Sequence, residues 1–282
     1  MIHRSSLLIS SRFRCVIFAA VLLLLPSANN LGVAQTEDSF GDGADPMKLF
    51  ERGQNAHARG DLRKALEFYE EAIKLRPEFA EAEFQRGNAL VALDRLPEAE
   101  GAFRRAIEIR QTWSFPYSAL GSLLVRLNRD ADAETILRQA LKLDAQSGLA
   151  LRMLAEVRLR AGDAKEALAL TRRATDDKDA PISTWLLRAL AEHATGDNVA
   201  ALTSLDHVLE INPQNVSALL ERAEIRSAGG DNEHALGDLK TAEPLIKEDK
   251  ALSSRLATAY QHAGKPDEAR RVAEAAGRSG LV

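Results

Sequence analysis

From residue 46 onward the larger apolar side chains, among them Leu66, Ile73, Leu123, Leu137, Leu168, Leu205 and Leu239, fall at spacings of three, four or seven. That spacing puts them on one face of a helix. The runs are interrupted at a fixed interval of 34 residues by Gly60, Asp94, Asn128, Gly162, Gly196, Gly230 and Gly264. Each of these tolerates a left-handed backbone, the conformation that commonly closes a helix. A second column in the same period is invariant: Ala65, Ala99, Ala133, Ala167, Ala201, Ala235 and Ala269. Seven residues later come Ala72, Ala106, Ala140, Ala174, Val208, Ala242 and Ala276. Twelve residues before the invariant Ala stand Gly53, Gly87, Gly121, Ala155, Ala189, Ala223 and Ala257. The pattern predicts two antiparallel helices per unit, the first ending at the turn column. The second opens about three residues later, with Asp61, Asp163, Asp197 or Asp231 near its start in four units. Small residues in the other columns let helices approach closely. No unit can bury its apolar face alone, so units starting at Pro46, Ala80, Ser114, Gly148, Ile182, Val216 and Lys250 must stack into an all-α solenoid over residues 46–282.

These columns resemble the tetratricopeptide repeat, most clearly in residues 46–79, where Gly53, Gly60, Ala65, Tyr69, Ala72 and Pro77 all match. The resemblance implies a right-handed superhelix of seven helix pairs, the first helix of each pair lining a concave surface. Bulky residues expected in that helix survive as Tyr117 and Trp185, with Leu49, Leu151 and Leu219 smaller and Glu83 and Ser253 polar. Weaker packing is therefore expected in units two and seven. Gly237, Pro244 and the run Lys247–Lys250 suggest a hinge between units six and seven.

Composition sharpens this picture. With 45% apolar and 28% charged residues the chain forms a core, which excludes disorder, and 47 alanines against 5% aromatics favour close-packed helices. A net charge of −4 argues against a generic nucleic-acid binder. Residues 1–34 read as a secretory signal peptide: Arg4, Arg12 and Arg14 precede the apolar run Val16–Leu25, and Gly32-Val33-Ala34 offers a cleavage site that leaves Gln35 first. The run is half the length a membrane span needs, so the mature chain is expected to hold no integral span. The alternative is an uncleaved anchor. Residues 35–45 read as an acidic flexible linker. Cys15 is the only cysteine, so cleavage leaves no thiol for disulfides, catalysis or zinc. The expected compartment is the periplasm, the cell envelope or the exterior.

No catalytic constellation is visible. His57, His193, His207, His234 and His262 fall at different repeat phases without metal-ligand spacing. Asp176, Asp177 and Asp179 lack the remainder of a calcium loop. The reading is a non-enzyme with no cofactor and no metal.

The same resemblance directs the second, fifth, ninth, twelfth and thirteenth positions of each unit into the concave groove. The candidate partner-binding residues are then Phe50, Gln54, His57, Phe84, Asn88, Phe115, Ser122, Arg126, Arg152 and Arg160. Phe50 and Phe84 share a phase and are expected side by side with Phe115 near them, either as an anchor for a peptide or as packing between repeats. Arg126, Arg152 and Arg160, with Glu156 among them, would face acidic groups. The residues with which related repeats clamp chaperone tails are replaced by Phe50, Gln54 and Gln85. The expected function is a scaffold that binds a protein or peptide in its groove. The alternative is self-association through the uncapped last unit.

Overall fold

A computed structural model describes residues 45–177, 179–246 and 249–278. The expected signal segment, and the linker apart from Asp45, lie outside the described residues. Fourteen helices follow one another as seven pairs: α1 (Pro46–Ala58) with α2 (Leu62–Leu75), α3 (Ala80–Ala92) with α4 (Leu96–Ile109), α5 (Ser114–Arg126) with α6 (Asp130–Leu143), α7 (Gly148–Arg160) with α8 (Ala164–Ala174), α9 (Ile182–Ala194) with α10 (Asn198–Ile211), α11 (Val216–Ala228) with α12 (Asn232–Ile246), and α13 (Lys250–His262) with α14 (Pro266–Arg278). Odd-numbered helices begin every 34 residues.

Local chemistry fixes the helix ends. All seven residues of the turn column have positive φ, including Asp94 at 60° and Asn128 at 56°, the only two that are not glycine among the described residues. Immediately after the turn, the carboxylates of Asp61, Asp163, Asp197 and Asp231 accept hydrogen bonds from Lys64, Glu166, Ala200 and His234 backbone N–H groups. Such caps satisfy donors that have no partner within the helix.

Within the first three units, one contact sets how closely the two helices meet. A Cβ on Gly53 would lie 2.5 Å from the Tyr69 ring, one on Gly87 2.5 Å from the Phe103 ring, and one on Gly121 2.4 Å from Leu137. The invariant Ala column of the second helix is buried in every unit. Between units, each odd-numbered helix approaches the next odd-numbered one, whereas among the described residues no even-numbered helix approaches another. The odd-numbered helices thus form the closely packed inner layer and the even-numbered ones the splayed outer layer of a curved stack.

The apolar interior falls into three clusters. The first holds unit one, the second runs from Leu66 to Ala191, and the third from Ala189 to Val272. Across the proposed hinge between units six and seven the core is continuous, since Ile246 of α12 packs in one cluster with Leu256 and Tyr260 of α13. Pro244 is accommodated inside α12, near its end. Residues 247–248 lie outside the described residues. A change of character occurs elsewhere, at the junction of units four and five. Among the described residues, five of the eleven buried polar side chains, Thr171, Thr175, Thr184, Glu192 and Ser204, belong to the helices around it or the turn between them. Glu192, 0% exposed, accepts from Arg188 Nε at 2.8 Å and from Ser204 Oγ at 2.6 Å. Arg188 also donates to Thr175 Oγ1 at 3.0 Å.

Glu83 is buried at 4% exposure in the position that Leu49, Leu151 and Leu219 fill in other units. Burial pushes its carboxyl group above the usual range, against the opposing pull of Arg86, whose Nη2 lies 3.1 Å away.

Two outcomes follow from this packing. Gly87→Ala should cost about 1–3 kcal/mol because the new methyl group overpacks the 1%-exposed Phe103. Adding Phe103→Leu should recover much of that loss by reproducing the Ala189 and Leu205 combination of unit five, as read by urea denaturation. Glu83→Leu should stabilise by about 1–2 kcal/mol at pH 7. Because the folded carboxyl has a raised pKa, the wild type carries its ionisation penalty above that pKa. The Glu83→Gln variant should therefore lead the wild type at neutral pH and lose that lead as pH falls towards the ordinary carboxylate range.

Candidate functional site

The inner layer opens into two adjoining clefts over units two to four. Their floor is set by small side chains on α5. Ser118 is buried and its hydroxyl lies 3.1 Å from that of Ser147, which also caps α7 through the Ala150 N–H. This contact holds α5 against α7 and leaves Ala119 and Ser122 lining open space. The first cleft, about 230 Å³, is walled largely by Val91, Phe103, Leu123 and Leu149, with Asn88, Ser122 and Arg126 at its polar edge. The second, about 500 Å³, is lined by Ser122, Val125, Arg126, Asn128, Arg152, Met153, Glu156 and Arg160. Ser122 and Arg126 belong to both.

Three guanidinium groups and one carboxylate line the second cleft, and the three cations are not equivalent. Arg126 donates to Asp94 at 2.6 Å across the rim of the groove. Arg160 is held by Asp130 at 2.9 Å and by Glu156 at 2.7 Å. Arg152 has neither ion pair nor hydrogen bond, and burial pulls its pKa down from the usual guanidinium value, only partly offset by the charge of Glu156. Among the described residues it is the one arginine withdrawn from the fully exposed class that lacks a polar partner. A partly desolvated cation that makes no hydrogen bond or ion pair opposes folding.

Of the ten residues expected in the groove, the structure gathers Asn88, Ser122, Arg126, Arg152 and Arg160 around these clefts. The expected aromatic row is not formed. Phe50 is 9% exposed and packs in the core of unit one, its ring centroid 5.8 Å from Tyr69 and 5.0 Å from Phe79. Position five of the first unit faces inwards between helices because the chain returns there through Phe79. Phe84 is half-buried against Phe103 and Trp113, at 5.9 and 5.0 Å. Phe115 is 62% exposed and reaches Trp113 at 6.3 Å. Gln54 is exposed on unit one, and His57 lies 6.4 Å from the Tyr69 ring; neither lines the two clefts.

Sequence reasoning passed over Leu149, Val91, Phe103 and Trp113. Leu149 occupies the same second position as Phe115, so its phase alone could have found it. Phe103 comes from the outer helix and reaches the groove only because Gly87 leaves room for it.

Three histidines have local partners. His193 Nδ1 lies 2.8 Å from Asn198, His234 Nδ1 lies 2.7 Å from Asp231, and His207 packs on Trp185 at 4.4 Å. No cluster of three or more His, Cys, Asp or Glu able to hold a metal ion occurs among the described residues, and no described helix is long and apolar enough to cross a membrane.

The tetratricopeptide repeat profile matches residues 50–113 and 118–181, and a second profile of the same description matches residues 251–275, together more than half of the 282 residues. The chain belongs to the tetratricopeptide repeat family. No curated protein matches it. Among solved structures, a chain of the APC/C hetero-tetramer Cut9–Hcn1 is similar over 77% of this protein at 17% identity and a TM-score of 0.67. The match covers 43% of that chain, so this tetratricopeptide protein spans less than half its length. A tetratricopeptide repeat protein from Parabacteroides merdae is similar over 86% of this chain and 94% of its own, at 16% identity and a TM-score of 0.65. PilW, a type IV pilus biogenesis factor, is similar over 76% of this chain and 97% of its own, at 19% identity and a TM-score of 0.63. At such identities the likeness is one of fold.

The tetratricopeptide scaffold does not need Arg152. Arg152→Leu should leave helical content unchanged and stabilise the fold by a few tenths to about 1 kcal/mol, allowing for the part of the guanidinium that water still reaches. Thermal melting by circular dichroism reads this directly. A clear fall in melting temperature would mean that Arg152 has a structural partner.

Proposed function

We propose that this tetratricopeptide protein is a non-enzymatic scaffold that holds a protein or peptide segment in the concave clefts of units two to four, and that it works in the periplasm or at the cell envelope. The observation that carries the reading is Arg152, a partly desolvated cation with no hydrogen bond or ion pair on the inner face of a preformed cleft. Tetratricopeptide proteins bind protein or peptide partners, and the chain from the Cut9–Hcn1 hetero-tetramer works within such an assembly. The signal-like segment at residues 1–34 and the similarity to a pilus biogenesis factor support the envelope setting. The local pairing of His193, His207 and His234 with neighbours on their own helix pairs supports a non-catalytic role.

A photo-crosslinking residue at Ser122, compared with one at the exposed Glu71 of the outer layer, tests this in the cell that makes the protein. Adducts with one or a few proteins should form from position 122, be absent from position 71, and disappear with Arg152→Glu. Sequencing of the recovered chain should begin at Gln35. Adducts from position 71 alone would move the binding surface to the outer layer and overturn the assignment of the groove.

A further inference from the structure

The two clefts share an edge and differ in chemistry, and this pairing specifies more than a generic peptide site. The first offers an apolar wall of Val91, Phe103 and Leu149, with Leu149 39% exposed. The second offers Arg152. Resting on the reading of the groove as a protein-binding surface, we propose that it recognises an acidic segment in two parts: a bulky aliphatic or aromatic side chain seated against Leu149 and Phe103, and a carboxylate a few residues away received by Arg152.

Charge complementarity favours this occupant. Arg126 and Arg160 already bond to Asp94, Asp130 and Glu156, so an incoming anion meets one open guanidinium rather than three. A planar carboxylate can take two parallel N–H donors from one guanidinium. A dianionic phosphate group would place its second charge against Glu156, which shares the cleft wall with Arg152. A nucleic-acid strand needs a run of open cations, whereas the neighbouring arginines are engaged. The order of the two elements follows from the shared edge. Ser122 and Arg126 border both clefts and stand one helical turn apart, about 6 Å along α5. An extended chain crosses that distance in about two residues, so the carboxylate and the apolar side chain belong within about four residues of each other. The apolar contact supplies most of the binding free energy and Arg152 supplies selectivity, since a desolvated cation rejects a neutral or basic residue more strongly than it rewards a correct one.

The full chain, immobilised, can be challenged with a random dodecapeptide library beside three variants: Arg152→Gln, Arg152→Glu and Ser122→Trp. Arg152 has no partner to lose, so its variants should fold, and melting curves confirm this. The wild type should enrich peptides with Asp or Glu within about four residues of Leu, Ile, Met or Phe. For one selected peptide, replacing the acid by its amide should weaken binding at least about tenfold. Arg152→Gln should abolish the difference between the two peptides, Arg152→Glu should reverse the charge preference, and Ser122→Trp, which fills the shared edge, should retain neither. If peptides are enriched without acidic preference yet lost in Ser122→Trp, the groove remains the binding surface and the two-part recognition is wrong. Peptides retained equally by Ser122→Trp would refute the groove itself, and absence of any enrichment would count against both.

Discussion

The close approach of a glycine on the first helix to a large side chain on the second is the contact on which the geometry of the amino-terminal units depends. Gly53 faces Tyr69, Gly87 faces Phe103 and Gly121 faces Leu137, each at a separation that leaves no room for a methyl group. With the two helices of a pair held together at that point, the buried alanine column of the second helix can pack without voids. The later units use the same phases with other volumes: Ala155 with Thr171, Ala189 with Leu205, Ala223 with Leu239. Where the residue on the first helix carries a methyl group, the second helix offers no aromatic ring at this phase. The repeat thus tolerates wide sequence change while keeping its spacing.

The same arrangement creates the groove. Because inner helices meet while outer ones diverge, side chains on the inner face converge on a shared space instead of covering one another. The rings best placed to fill that space are drawn back into the packing: Phe50 onto Phe79, and Phe84 onto Trp113. What remains at the centre is a modest apolar wall and a set of arginines. Two of these hydrogen-bond to acidic side chains, and the third, with only the charge of Glu156 near it, makes no such bond. Folding alone gives no reason to keep a cation in that condition, whereas binding does.

The fold was legible because its determinants are local and repeated. A positive-φ turn needs Gly, Asn or Asp, and a close approach needs Gly or Ala; each requirement leaves a column at a period of 34 residues. The site was half legible. Phase alone placed Asn88, Ser122, Arg126, Arg152 and Arg160 on the inner face, and they do border the clefts. Phase could not say that the Phe50 ring turns inward, because this depends on Phe79, a residue from the connection to the next unit. Nor could it distinguish Arg152 from Arg126 and Arg160. Their acidic partners lie 30 residues away for the Asp130 pair and 32 for the Asp94 pair, and a spacing near the repeat length also describes many residues that never meet. The expected hinge rested on Gly237, Pro244 and the run Lys247–Lys250; Pro244 lies in the last turn of α12, and Ile246 after it shares an apolar cluster with Leu256 and Tyr260.

The polar seam between units four and five has a thermodynamic meaning for an array that folds as a chain of nearest neighbours. In such an array a boundary between ordered and melted units forms where the coupling between neighbours is weakest. Here Arg188 to Thr175 is the hydrogen bond that joins the two units, Glu192 and Ser204 pair within unit five, and Leu170 and Ala174 share an apolar cluster with Ala191, at a point where α8 is 11 residues long instead of the 14 of α6 or α10. The groove of units two to four lies wholly on the amino-terminal side of this seam, so a melting boundary that stopped here would leave its clefts intact.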